Sequence, residues 1–197
     1  YISIQYSTLL ILMIIIPYFL ETDYILNFWL GDYPKYTDEI SRYILLFILF
    51  SCVSISLVTA LHAVGRIKLP SLINGSLYLL VPILTYYSYK SGGDLYVPFI
   101  LNILLVVLGG VFNAIYLKYY MKKFFSIWVC YFNKFIPLIF LGFIFYSILV
   151  LIRDTMPSSI FRLIIMTFFS ELILLLYCYF YILDVKIRNR IKSRLRL

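Results

Sequence analysis

Few residues in this 197-residue chain could carry chemistry. There is one histidine, His62, and no cysteine or carboxylate stands beside it at metal-ligand spacing. A hydrolytic triad would need a nucleophile and an acid brought to the depth of His62, and no motif arranges that. His62 therefore reads as an interfacial hydrogen-bonding residue, with a titrating switch as the alternative. The glycines of "SGGD" at Ser91 to Asp94 mark a turn and not a phosphate cradle. Cys52, Cys130 and Cys178 are three and cannot all pair, so they read as small packing residues. Neither catalysis, a metal nor a cofactor is expected.

Two groups of charges remain. Glu171 lies near the middle of an apolar run, where an ionised carboxylate has to be paired, wetted or protonated. It is expected either to hydrogen-bond a neighbouring helix or to serve a pathway or coupling role. The second group is a set of carboxylates, Glu21, Asp23, Asp32, Asp38 and Glu39, around "ILNFWLGDYPKYTDEISRY".

The elements that must position these residues are set by composition. The chain is 63% hydrophobic and 13% charged, outside the range of soluble domains. Charges bound six apolar runs, each of 18 to 23 residues and long enough to cross a bilayer. Span A is 1–20 and ends at Glu21. B lies between Arg42 and Arg66, C between Lys68 and Lys90, and D between Asp94 and Lys118. E lies between Lys134 and Arg153, and F between Arg162 and Asp184. None has a polar outer face, so the expected fold is an all-α, polytopic transmembrane bundle of six spans. Residues 1–123 form four spans, 124–184 an additional pair, and 185–197 a basic tail.

Of the 17 Lys and Arg, twelve fall on one side: Arg66 and Lys68 in the B–C turn, Lys118, Lys122, Lys123 and Lys134 before E, and six in the tail. The other side holds seven of the nine acids. The positive-inside rule makes the cationic side, with both chain ends, cytoplasmic. Arg66, Lys68, Lys122 and Lys123 are then expected to fix topology and meet phosphates of anionic lipids; nucleic acid is not expected as a partner. The carboxylates fall in an outer loop of about 20 residues between A and B, set by the apolar runs and charges that bound the spans. There Thr37 reads as an N-cap, with Asp38 and Glu39 in the first turn of B. Trp29, Tyr33, Tyr36 and Tyr43 suit the headgroup level.

Within the spans, Asn74, Asn102 and Asn113 read as interhelical glue, with Gly75, Gly109 and Gly110 allowing close approach. Pro17, Pro82, Pro98 and Pro137 recur in or near spans, and Pro82 is the one placed to bend its helix. Span A opens directly in apolar sequence with no basic n-region, which predicts a piece of something longer.

"FWLGDYP" at Phe28 to Pro34, "AVGRIKLP" at Ala63 to Pro70 and "LLVPILTYY" at Leu79 to Tyr87 follow one another in the order and spacing of a known family. Over roughly 20–123 the chain resembles the Wzx-type polysaccharide or O-antigen flippases, of the superfamily that includes multidrug extrusion transporters and lipid II flippases. The resemblance implies the C-terminal part of a two-lobed transporter, with A to D in the second lobe and E and F an added pair. Its partners would be the N-terminal half of the same transporter and a lipid-linked oligosaccharide, in the bacterial inner membrane. The implied activity is outward flipping of an undecaprenyl-diphosphate-linked oligosaccharide for O-antigen or capsule assembly. Substrate-binding residues lie mostly on helices this chain lacks, and none is assigned. The alternatives are an ion-coupled small-molecule antiporter of the same superfamily, a membrane polymerase or glycosyltransferase, and a scaffold without transport.

Overall fold

The computed structural model describes residues 2–121, 125–127 and 129–182. Its helices are α1 (Ile2–Leu30), α2 (Thr37–Ala63), α3 (Lys68–Lys90), α4 (Val97–Tyr120), α5 (Ile136–Arg153) and α6 (Ile160–Tyr177). A π-helical segment, Val129–Phe135, leads into α5, and another, Cys178–Ile182, continues α6. No strand occurs among the described residues. All six helical units are long and apolar enough to cross a membrane, so the chain is an all-α, multi-pass bundle. Lys122, Lys123 and the basic tail lie outside the described residues.

The two ends of the bundle differ in charge. Tyr96, at the start of α4, packs against Tyr36 and Tyr43, and Glu21 of α1 meets Arg153 and Arg162 at the α5–α6 turn. Those contacts gather the α1–α2, α3–α4 and α5–α6 turns at one end, with most of the acids. At the opposite, basic end Arg66 of the α2–α3 turn stacks on Tyr120 at the end of α4.

The first helix departs most from expectation. Carboxylates at positions 21 and 23 were expected to close it, yet it runs to Leu30. A helix is stopped by a residue that can turn left-handed and take up its last carbonyls, and Gly31 does so at φ 67, its N–H donating to the Asn27 carbonyl. The connection to α2 is therefore only residues 31–36 and not a 20-residue loop. Inside α1 the helical backbone breaks at Glu21 (φ −121, ψ 26), and the Thr22 hydroxyl donates to the Tyr18 carbonyl at 2.6 Å, satisfying an acceptor at the broken turn. Pro82, the expected bend, sits in α3, which continues through it to Lys90. Pro98 and Pro137 occupy the first turns of α4 and α5, where no intrahelical N–H is needed.

Thr37 also differs. It is the first residue of α2, behind a left-handed Tyr36, and its hydroxyl donates to the Pro34 carbonyl instead of capping. Asp38 and Glu39 do lie in that first turn.

Two cores sit on either side of α1 and α2. One joins α1 and α2 to α5 and α6 through Leu12, Ile16, Leu49, Leu138 and Met166; the other joins Ile4, Leu57 and Leu61 to α4 and the first π-helical segment through Leu117 and Phe135. The α5–α6 pair thus packs on α1, which both helices touch more extensively than they touch each other. Lipid tails are as apolar as leucine, so close packing and polar contacts have to supply the specificity.

Candidate functional site

Three polar layers interrupt the apolar bundle. The first lies near the acidic end and is built on the broken turn of α1. That break turns Glu21 into the bundle, where it is 1% exposed. Its Oε2 accepts from Arg162 Nη2 at 2.6 Å, and its Oε1 lies 3.9 Å from Arg153 Nε. Arg162, only 7% exposed, shares one face of α6 with Met166, Ser170 and Leu174, all buried at four-residue spacing. Its second nitrogen, Nη1, donates to the Met156 carbonyl at 2.9 Å, and its backbone N–H is capped by Ser159 Oγ. On the α2 side, Arg42 Nε donates to Thr22 Oγ1 at 3.2 Å, and Tyr18 donates to Ser41 Oγ at 2.8 Å. Four helices are thus tied at one level around a single buried carboxylate. Glu21 Oε1, Arg153 Nε and Arg162 Nε have no hydrogen-bond partner among the described residues.

The second layer lies about two turns in from the basic end, by helical rise. Asn113 Nδ2 of α4 approaches Asn74 Oδ1 of α3 at 3.4 Å and Ser54 Oγ of α2 at 3.5 Å. These contacts are long, hence individually weak. They exist because Gly109 has no side chain: a Cβ there would stand 2.8 Å from Asn74 Oδ1. Gly110 likewise admits Tyr131, whose hydroxyl would lie 3.2 Å from an added Cβ. Asn102, in contrast, donates to Pro98 of its own helix, and Gly75 has open space around it. Of the expected glue, Asn74, Asn113, Gly109 and Gly110 fill that role, and Asn102 and Gly75 do not.

The third layer is at the basic end. A cavity of about 540 Å³ opens between α1 and α2, lined by hydroxyls of Ser3, Ser7, Ser56 and Thr59 and by Leu117 and Met121. Ser7 and Thr59 donate to carbonyls of their own helices, which leaves oxygen lone pairs to receive a donor in the cavity. Arg66 and Lys68 line a second, open recess of about 300 Å³ with Tyr116. The Arg66 guanidinium lies 4.5 Å above the Tyr120 ring, which holds it at the helix ends. His62 is exposed in the last turn of α2, and its carbonyl accepts from Gly65.

Glu171 is exposed on α6, and no hydrogen bond or ion pair holds it among the described residues. The expected bond to a neighbouring helix is therefore absent. The reason is angular: the buried face of α6 runs through Ser170, and Glu171 is about 100° around the helix from it. The buried carboxylate of the bundle is Glu21. Charge placement alone puts Glu21 at a span boundary; the usable signal is two arginines flanking the short α5–α6 turn, at the same end of the bundle as an acid on the first helix.

Outside the spans, Glu39 bonds the Tyr96 hydroxyl, which together with partial desolvation and the Glu39 charge raises the Tyr96 phenol well above its ordinary value. Tyr33 is raised more modestly, by desolvation first and then by the charges of Asp23 and Asp38.

Family models, characterised proteins and solved structures offer no match to this chain.

Proposed function

We propose that this chain is the C-terminal part of a membrane flippase that moves an undecaprenyl-diphosphate-linked oligosaccharide outward across the bacterial inner membrane. The acidic end faces outward and the basic end the cytoplasm, as the distribution of Lys and Arg favours.

The observation that carries the reading is the free face of α3. Pro70 is the one residue of α3 that is buried. Ser71, Gly75, Tyr78, Pro82, Tyr86 and Tyr89 follow one another at three- and four-residue spacing and are all exposed, so a polar and aromatic stripe runs the length of a spanning helix. Such a stripe is costly against hydrocarbon and suits a wet cavity or a second lobe. Sugar hydroxyls and tyrosine rings are compatible partners, since the rings stack and the phenols hydrogen-bond. The helix that carries the stripe also contains the last three residues of "AVGRIKLP" and all of "LLVPILTYY", two of the three segments on which the resemblance rests. In this mechanism the headgroup crosses along the stripe while the lipid tail stays in the bilayer.

The test is a flipping assay on the complete transporter in proteoliposomes, following access of a lipid-linked oligosaccharide to an impermeant reagent in the opposite leaflet. The complete protein should accelerate translocation, and Tyr78→Leu with Gly75→Leu should slow it at normal abundance. No acceleration by the wild-type protein would reject the reading.

A further inference from the structure

A groove of about 230 Å³ runs between α1, α2 and α5, lined by apolar groups that include Leu12, Ile16, Phe19, Leu46, Gly142 and Tyr146. Gly142 in its wall lets α5 approach α1 closely; a Cβ there would lie 3.2 Å from Leu12 Cδ2. Each wall ends in a polar residue at the acidic end. On α2, Leu49, Leu46 and Arg42 share one face at spacings of three and four. On α5, Gly142, Tyr146 and Arg153 share one at four and seven, and on α1 Phe19 is followed one turn later by Thr22.

That end also carries Asp23, Asp38 and Asp154, yet two of its arginines lack a close ion pair among the described residues. Glu21 is committed to Arg162 at 2.6 Å, and Arg153 reaches it only at 3.9 Å, with its Nε unpartnered and its side chain 30% exposed. Arg42 donates to the neutral Thr22 hydroxyl. Asp38, one turn from Arg42, and Asp154, next to Arg153, form no ion pair among the described residues. Two guanidinium groups therefore stand at the membrane end of an apolar groove without a close ion pair among the described residues. An anion with an attached hydrocarbon chain fits both halves, because guanidinium forks match phosphate oxygens and the groove takes the chain.

We propose that this groove binds an anionic glycerophospholipid, with one acyl chain between α1, α2 and α5 and the phosphodiester on Arg42 and Arg153. The site needs only the multi-pass bundle, so its failure and that of the flippase reading are separable.

The test uses the full chain in phosphatidylcholine vesicles doped with phosphatidylglycerol carrying a photoactivatable diazirine in one acyl chain. Cross-linked peptides are mapped, which separates the groove from the basic end. Cross-links should fall on α1, α2 and α5 groove residues. Their yield should exceed that of the matching phosphatidylcholine probe at least roughly tenfold, the discrimination expected when charge-assisted hydrogen bonds select the headgroup. Arg42→Gln with Arg153→Gln should remove the difference, and Leu46→Trp should reduce both yields by filling the groove. Equal yields from the two probes in the wild-type protein overturn the proposal, whatever the variants do. So does an unchanged preference in a folded Arg42→Gln/Arg153→Gln protein. Displacement of the probe by undecaprenyl diphosphate in preference to unlabelled phosphatidylglycerol would also overturn it and assign the groove to a polyprenyl carrier.

Discussion

Glu21 and Arg162 are separated by 141 positions in the chain and meet at 2.6 Å, buried between the first and last spanning helices. Inside a bundle, removing one partner of such a pair leaves a charge with no solvent and no counter-ion, which typically costs about 3–5 kcal/mol. Glu21→Gln should therefore destabilise the protein by about that much. Glu21→Gln combined with Arg162→Gln should recover most of it, since neither charge is then stranded. Denaturant titration in micelles reads both; a double variant as unstable as the single one would show that the pair is not the stabilising unit.

Gly109 and Gly75 should respond in opposite ways to the same change. A side chain at Gly109 meets Asn74 Oδ1 at 2.8 Å and separates α3 from α4, whereas Gly75 faces open space. Gly109→Val should lower the melting temperature and abundance, and Gly75→Val should leave both near wild type. Asn113→Val should cost no more than about 0.6 kcal/mol for each of its long interhelical bonds, the average found in membrane bundles.

Tyr96 should ionise above the ordinary tyrosine range, because Glu39 accepts a hydrogen bond from its hydroxyl and adds a repelling charge. With a folded-state value above the unfolded value of 10.0, its contribution to stability is whole below that pH and is lost as pH rises beyond it. A tyrosinate absorbance titration of wild type minus Tyr96→Phe isolates the group. Glu39→Gln should move it back toward 10.0.

Glu171→Leu should leave abundance unchanged, since no partner is stranded by its loss among the described residues. If the carboxylate carries a proton during transport, Glu171→Gln in the complete transporter should abolish flipping at normal abundance. Western blotting and the flipping assay together distinguish the two roles.

Orientation can be read with single cysteines in a background lacking Cys52, Cys130 and Cys178. Lys35→Cys and Ser91→Cys, at the acidic end, should react with an impermeant thiol reagent in intact cells, and Val64→Cys at the basic end should not. The reverse pattern would place the basic end outside.

The number of helices and their membrane-spanning length were legible from the sequence. These depend on local quantities: apolar run length, charge placement and residue counts. The turns holding Gly65 and Gly92 were similarly accessible, each glycine adopting a positive φ beyond a helix end, whereas the stop at Gly31 was not. What the sequence could not reveal was which polar residues face inward. Local sequence points the wrong way: Glu171 stands alone inside an apolar run, whereas Glu21 stands at the end of one beside Asp23. One is buried because a broken turn directs it between two arginines of distant helices, and the other is exposed because it lies a step around α6 from the packed face. That choice is made by helix rotation and by contacts between residues far apart in the chain, and only the tertiary structure contains both.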